Sequence, residues 1–351
     1  MPDKNIVRSD YNEAINLLVQ EASQNDTISA VYLMGGEVEP GFSDLDFVVV
    51  YKDNVKPAPL PFPPLLSEKS KFIFTHRYLS FFESDSKYFY YIYPKDTANL
   101  RLIWDKDIAF DISENILAAE DYKMLLAFIL FDLLINKLLP FKRYEAVDKL
   151  DVRNVIAELH SLIYTFILVE KLTGKKIGDE FSLEIKNLRK NWFENSNEEN
   201  SAKLGGLLKD GINLVSDVVT LFDGFMRSKN LEADSSLSFK TRRLTINFTN
   251  SWDENVFSEA SNSGTLILPE SFSYFLLAYA SSEGPFSAKI SSCLNKAKRI
   301  IFNSEGTGVH VSIMNGLFKN YQNYGFKMPF SYGISKNYFN LFEIIKCIFI
   351  K

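Results

Sequence analysis

The chain has 351 residues and a hydrophobic fraction of 46%, enough for two or three domains with ordinary buried cores. Its formal net charge of -5 argues against a protein that coats DNA or RNA through its charge alone. Cys293 and Cys347 lie far apart and form no zinc or disulfide pattern, and the polar residues at 1–10 give no signal peptide. We therefore expect a cytoplasmic protein without stable nucleic-acid binding.

The first third of the chain predicts a mixed α/β domain. Residues 11–24 carry a rough apolar stripe, which predicts a helix. Apolar or aromatic runs predict strands at 28–34, 45–51, 71–80 and 88–93. Residues 100–113 predict a hairpin with arms at 100–104 and 108–113.

The middle of the chain changes to helical spacing and predicts a helical bundle. One of its helices is expected to end at Thr173-Gly174, and a polar loop is expected at 195–201. The stretch 124–141 is apolar, but it contains Asp132 and Lys137, whereas a membrane span needs about 20 apolar residues almost free of charge. We interpret it as a buried helix and expect no membrane contact.

The last third is richer in Ser, Thr, Asn and aromatic residues and predicts a C-terminal α/β region. Strands are predicted at 242–247, 265–268 and 308–314, and a helix at 287–302. The predicted organisation is therefore three domains, at 1–117, 118–230 and 231–351.

The most informative segment joins two predicted strands. Val31–Gly36 is an apolar run that ends in two glycines, and Ser43–Val50 opens the next run with Ser-Asp-Leu-Asp. Residues two apart on a strand face the same side, so Asp44 and Asp46 would place two carboxylates together. Such a pair is costly without a cation, and Mg²⁺ prefers oxygen ligands of this kind. A plain Ser-Asp turn is the alternative, but the glycine pair and the six-residue spacer favour a metal site.

This pattern resembles the DNA polymerase β-like nucleotidyltransferase superfamily over roughly residues 11–117, most closely its aminoglycoside-type adenylyltransferases. In that superfamily an apolar strand, a glycine pair, a spacer and Asp-apolar-Asp are followed by a third carboxylate on a later strand. The segment 102–112 has the shape of the hairpin that carries this third acid, so the resemblance implies that Asp111 is the third ligand. Asp105 and Asp107 fit better as turn residues.

The resemblance implies a mixed-sheet nucleotidyltransferase fold and a two-metal mechanism. Asp44 and Asp46 would hold both Mg²⁺ ions, or Mn²⁺ in their place, and Asp111 would hold the ion beside the acceptor hydroxyl. The backbone of Gly35 and Gly36, together with Ser43, would contact the triphosphate of an NTP, with ATP among the candidates. The implied activity is transfer of a nucleoside monophosphate to a hydroxyl of a small-molecule acceptor.

Two alternatives remain open from the sequence. The nucleotide could be placed on a side chain of a protein partner. The protein could also be a catalytically silent nucleotide-binding scaffold, because Glu37 stands where family members often have a polar or basic residue, and Glu39 follows it.

Overall fold

The computed structural model describes residues 2–61, 67–75, 77–106, 117–145, 151–241, 244–252, 265–296, 298–302 and 304–326. Within these residues the protein is mixed α/β, as the sequence predicts. The chain forms two compact units, each built from separate stretches of sequence: the first comprises Met1–Ile116, Asp151–Ala157 and Lys186–Asn200, and the second Leu117–Leu150, Glu158–Ile185 and Ser201–Lys351. The predicted division into three domains stays a prediction.

The helices and strands of the described residues are numbered here in chain order. The α-helices are α1 (Arg8–Ser23), α2 (Glu68–Ile73), α3 (Glu83–Ser86), α4 (Ala119–Glu145), α5 (Val152–Thr173), α6 (Asp179–Asn191), α7 (Asn197–Ser228), α8 (Ser273–Ser281), α9 (Pro285–Ser292) and α10 (Glu305–Tyr324). The strands are β1 (Ile28–Met34), β2 (Asp46–Tyr51), β3 (Leu79–Phe82), β4 (Leu100–Asp105), β5 (Ser238–Lys240), β6 (Thr245–Thr249) and β7 (Thr265–Pro269).

The first unit is organised around a sheet whose described strands lie in the order β3-β2-β1-β4. Strand β1 pairs antiparallel with both β2 and β4, and β2 pairs parallel with β3. Strands β1 and β2 are almost wholly buried, which explains their unbroken apolar sequences. At one end of the sheet Met34 is the partner of Asp46 on β2 and of Leu100 on β4.

One strand prediction in this unit is wrong, and another is confirmed only at its last two residues, 79–80. The run 71–80 contains the end of α2 and then β3, because Ser67 caps a short helix by accepting a hydrogen bond from the Ser70 amide at 3.0 Å. The aromatic run 88–93 forms a short 3-10 turn in which Phe89 stacks on Tyr93 at 5.3 Å between ring centroids. The first arm of the predicted hairpin is confirmed by β4, and the second arm lies outside the described residues.

The second unit has its aromatic core around α4. Residues 124–131 of this helix are all buried, and Phe128 contacts Phe275 edge-on at 4.8 Å between ring centroids. The Lys137 ammonium, almost fully buried, lies 2.5 Å from a carboxylate oxygen of Glu158. The interpretation of this stretch as a buried helix is confirmed over residues 124–138, where most side chains are buried. None of the described helices is both long and apolar enough to cross a membrane.

Several bounds in the second half of the chain also differ from the prediction. Helix α7 begins at Asn197, inside the predicted polar loop, because Ser196 and Glu199 form a reciprocal capping pair. The predicted strand at 308–314 is wrong, because these residues lie within α10 and form part of its buried face. The predicted helix at 287–302 is reduced to α9. Strand β7 is confirmed, and β6 overlaps the predicted 242–247.

Acid should destabilise the protein through His310, which is 2% exposed and stacks near Phe128. Its Nε2 lies 2.9 Å from the Tyr279 hydroxyl, and its Nδ1 has no hydrogen-bond partner among the described residues. Burial lowers the pKa of His310 from 6.5 to about 3. Below pH 6.5 this histidine is protonated in the unfolded chain but stays neutral in the folded chain. The free energy of unfolding therefore falls progressively toward pH 3.

We expect this histidine to contribute a slope of about 1.4 kcal/mol per pH unit to the free energy of unfolding across that acid range. His310→Gln removes the titrating ring and should flatten the slope, whereas Tyr279→Phe keeps the buried ring and should retain it. Denaturant unfolding at a series of pH values measures both. Equal slopes in the wild type and His310→Gln would contradict the assignment.

Candidate functional site

Two glycines and two aspartates lie at one end of the first sheet. Strand β1 ends at Met34, and the next two residues, Gly35 and Gly36, are exposed. Gly35 has a φ of +112°, a conformation that L side chains rarely adopt, and its amide donates to the Asn99 carbonyl at 2.9 Å. Because Met34 pairs with Asp46, the glycine turn lies directly beside the start of β2.

The two predicted carboxylates are half-buried, and Asp46 is the first residue of β2. Asp44 lies in the preceding loop, where its carboxylate accepts a hydrogen bond from the Thr75 hydroxyl. The Leu45 amide, between them, donates to the Ile73 carbonyl at 3.0 Å. The structure thus places Asp44 and Asp46 at the same end of the sheet as the glycine pair.

The third predicted acid, Asp111, lies outside the described residues. Over the residues that are described, no group of three or more His, Cys, Asp or Glu side chains is arranged to hold a metal ion. Of the three predicted acids, the described residues therefore include Asp44 and Asp46. Carboxylate oxygens suit Mg²⁺ or Mn²⁺, which complete their coordination with phosphate oxygens and water.

The loop that leads into Asp44 is a tight, well-supported turn. The amides of Phe42 and Ser43 both donate to the Glu39 carbonyl, at 3.1 and 3.0 Å. Gly41 is buried with a φ of +77°, and a Cβ there would lie 2.6 Å from the Asp3 carbonyl oxygen and 2.8 Å from the Phe193 ring. A larger residue at 41 would therefore displace the turn.

Ser43, predicted to contact a triphosphate, is held within this turn. Its hydroxyl oxygen accepts from the Glu39 amide at 2.9 Å and from Nη2 of Arg189 at 3.0 Å. Its carbonyl oxygen accepts from the Tyr11 hydroxyl at 2.9 Å and from Nη2 of Arg153 at 3.1 Å. Four donors thus fix the residue that precedes Asp44.

The two arginines were missed by the sequence reasoning. Arg153 lies in the first turn of α5 and Arg189 in the last turns of α6, 110 and 146 residues after Ser43. Burial lowers the pKa of Arg153, and the nearby charge of Asp44 opposes this. Burial raises the pKa of Tyr11 to about 12, so its hydroxyl stays a donor at neutral pH.

The acidic residues of the loop, Glu37 and Glu39, differ in their surroundings. Glu37 is exposed to solvent, whereas Glu39 is half-buried and its backbone forms the turn with Ser43. The exposed Glu37 follows the glycine pair directly, so any anion bound at the Gly36 amide would lie near a carboxylate.

Comparison of the chain with protein-family models, with curated proteins and with solved structures gives no match. The candidate site therefore rests on the geometry described above and on the sequence motif.

Enlarging Gly36 tests the phosphate role of the glycine turn. A Cβ at Gly36 would meet nothing within 4 Å, so Gly36→Leu should fold normally. If backbone amides here approach a triphosphate, the leucine side chain would block that approach and NTP binding should be lost. Calorimetric titration with each NTP, with thermal unfolding as the fold check, measures this.

Gly205→Leu, in helix α7, is the matched control for NTP binding, because a Cβ there also meets nothing within 4 Å. Gly41→Leu is the destabilised reference for the fold check. Because its added side chain collides with Asp3 and Phe193 in a positive-φ position, it should lower stability, with the backbone strain alone costing about 1–3 kcal/mol. An unchanged NTP affinity in a folded Gly36→Leu variant would rule out a phosphate role for the turn.

Proposed function

We propose that this protein is a metal-dependent nucleotidyltransferase of the DNA polymerase β-like kind, which transfers a nucleoside monophosphate from an NTP to a hydroxyl group. The observation that supports this best is the pairing of Met34 with Asp46, because it puts an exposed glycine turn and two aspartates at one end of the sheet. A nucleotidyltransferase needs amides that bind phosphate and oxygens that bind metal ions, and both must lie within the length of one triphosphate.

Asp44 and Asp46 would hold the metal ions, either Mg²⁺ or Mn²⁺. Their half-buried position fits this, since they keep access to solvent and ligand while the turn behind them is rigid. When bound, the ions would lower the pKa of the acceptor hydroxyl and neutralise charge on the phosphates. The residues of the chain would orient the triphosphate through Gly35, Gly36 and Ser43.

The transfer would proceed by attack of the acceptor oxygen on the α-phosphorus. A bond forms between that oxygen and the phosphorus, the bond to the bridging oxygen breaks, and pyrophosphate leaves with the electron pair. Asp111 is the proposed acceptor of the hydroxyl proton and the third carboxylate of the site.

The inclusion of Asp111 rests on the predicted hairpin, of which the structure describes only the first arm, β4. Leu100 pairs with Met34, whereas Asp105 pairs with Ala30, so β4 runs away from the glycine turn. Asp111 itself lies outside the described residues, and its place at the glycine end of the sheet is part of the proposal.

We propose a small molecule as the acceptor, because the net charge of -5 disfavours a nucleic-acid groove. We also propose that the protein acts in the cytoplasm, where NTP and Mg²⁺ are available and its few cysteines need no oxidising environment.

The decisive experiment uses the full chain with Mg²⁺ and each NTP labelled at the α-phosphate. Nucleotide binding and pyrophosphate release are measured with a small-molecule fraction and, separately, a protein fraction of a cell extract as acceptor. Transfer of label to the small-molecule fraction supports the proposal, and transfer to protein reassigns the acceptor. Failure to bind any NTP would overturn the proposed function.

A catalytically silent nucleotide-binding scaffold is the second candidate. It is favoured by the surroundings of Asp44, because the Thr75 hydroxyl already donates a hydrogen bond to its carboxylate in the absence of a metal. The experiment above separates the two candidates, since a scaffold would bind nucleotide but release no pyrophosphate with any acceptor.

A further inference from the structure

Arg153 makes an unusual set of contacts for a half-exposed arginine. Its Nε donates to the Phe42 carbonyl at 2.9 Å, and its Nη2 donates to the carbonyls of Ser43 and Phe72 at 3.1 and 2.9 Å. Its guanidinium carbon lies 3.5 Å from the centroid of the Phe72 ring. Its Nε and Nη2 are thus committed to backbone oxygens, and the face of its guanidinium to one aromatic ring.

These carbonyls belong to the two segments that hold Asp44. Phe42 and Ser43 form the end of the loop that leads into Asp44, and Phe72 lies in α2, shortly before the Thr75 hydroxyl that donates to Asp44. Arg153 therefore joins the segment that carries the carboxylate to the segment that orients it. Arginine suits this role because its rigid, planar guanidinium carries several N–H donors, which can reach three carbonyls in two segments.

We propose that Arg153 is a positioning residue that fixes the Asp44 carboxylate for metal binding; this inference rests on the proposed function of the site. The guanidinium acts through the backbone of the turn, and it does so at an electrostatic cost, because a cation near Asp44 opposes a second cation there.

Removing Arg153 therefore has effects of opposite sign according to its role. If it positions Asp44, its loss should weaken metal binding even though a repelling charge is removed. If it only neutralises Asp44, its loss should strengthen metal binding. If it only supports the fold, metal binding should follow the folded fraction and nothing else.

The test uses Arg153→Met and Arg153→Lys in the full chain. Methionine keeps an unbranched stem over Phe72 without charge or donors, and lysine keeps the charge but cannot reach three carbonyls. Mn²⁺ alone is the probe, and its affinity is measured from the paramagnetic resonance signal of the free ion. Thermal unfolding of each variant reports the fold independently.

We expect both variants to unfold cooperatively near the wild-type midpoint and to bind Mn²⁺ roughly 10- to 100-fold more weakly, the usual effect of removing a support behind a metal ligand. Arg227→Met is the matched control, because Arg227 pairs with Asp223 on the surface of α7 and should leave Mn²⁺ affinity unchanged. If Arg153→Met does not fold, Arg153→Lys decides the question.

The outcomes separate this inference from the proposed function. Tighter or unchanged Mn²⁺ binding in folded Arg153 variants would overturn the positioning role and leave the proposed function standing. If the wild type binds Mn²⁺ no better than Asp44→Asn, the metal site itself is absent, and the proposed function falls together with this inference.

Discussion

Replacing Asp44 or Asp46 with asparagine is expected to remove Mg²⁺-dependent nucleotide binding and pyrophosphate release together. A neutral amide is a poor ligand for Mg²⁺, so the metal and the phosphates that it holds are lost in one step. The loss of turnover should be at least roughly 10²- to 10³-fold, the scale seen when one electrostatic stabiliser of a transition state is removed.

The fold should survive these changes. Asparagine at 44 keeps an oxygen that can accept the Thr75 hydroxyl, and residue 46 lies at the start of its strand. Asp105→Asn is the matched control, since Asp105 pairs with Ala30 at the far end of β4 and should leave activity unchanged. Full turnover in Asp44→Asn, measured as Mg²⁺-dependent pyrophosphate release, would remove this carboxylate from the site.

Asp111→Asn is expected to behave differently from the first two variants. Nucleotide should still bind with Mg²⁺, because one ion accompanies the triphosphate and is held by Asp44 and Asp46. Pyrophosphate release should fall by roughly 10²- to 10⁴-fold, because the group that takes the acceptor proton is gone.

Direct binding and turnover measured on the same preparation distinguish binding from chemistry for Asp111→Asn. A parallel loss of binding and turnover would place Asp111 with the nucleotide ligands instead, and unchanged turnover would exclude it from the site. A wild-type protein that binds nucleotide without releasing pyrophosphate would favour the silent scaffold.

The central strands of the first unit were predictable because their sequences are dominated by burial. The run 28–34 corresponds residue for residue to β1, and β2 matches the predicted 45–51 except that it begins one residue later, at Asp46. The glycine pair follows the first of these strands and Asp46 opens the second, and the pairing of Met34 with Asp46 puts them at the same end of the sheet. Local sequence is sufficient where a motif is contained between two adjacent strands.

Elements whose sequence admits two structures were predicted less well. The segment around Phe72 and Ile73 looks like a strand, but the Ser67 cap and the Glu68–Lys71 pair at 2.6 Å favour a helical turn. The residues around Val311 and Ile313 also suggest a strand, and they form the buried face of α10. Burial favours apolar residues in both structures, so the apolar pattern alone does not decide between them.

The supports of the site could not be predicted from local sequence at all. Nothing near Arg153 or Arg189 marks them as partners of Ser43, because each is a charged residue on an otherwise ordinary helix. Their role depends on a fold that brings helix turns from far along the chain to a single loop. The enclosure of the loop shows at Gly41, which has a positive φ and where an added Cβ would lie 2.8 Å from the Phe193 ring, but a single glycine in the sequence does not reveal it.

The discontinuous first unit has a consequence for the order of events on the ribosome. The loop before Asp44 emerges early in synthesis, but Arg153, Arg189 and Phe193, which hold it, are made more than 100 residues later. Until then the nascent chain carries the glycine turn and the acidic pair without their supports, since such distant contacts form late. The site therefore matures after translation has passed residue 193, and a nascent chain that stops near residue 117 would never complete it.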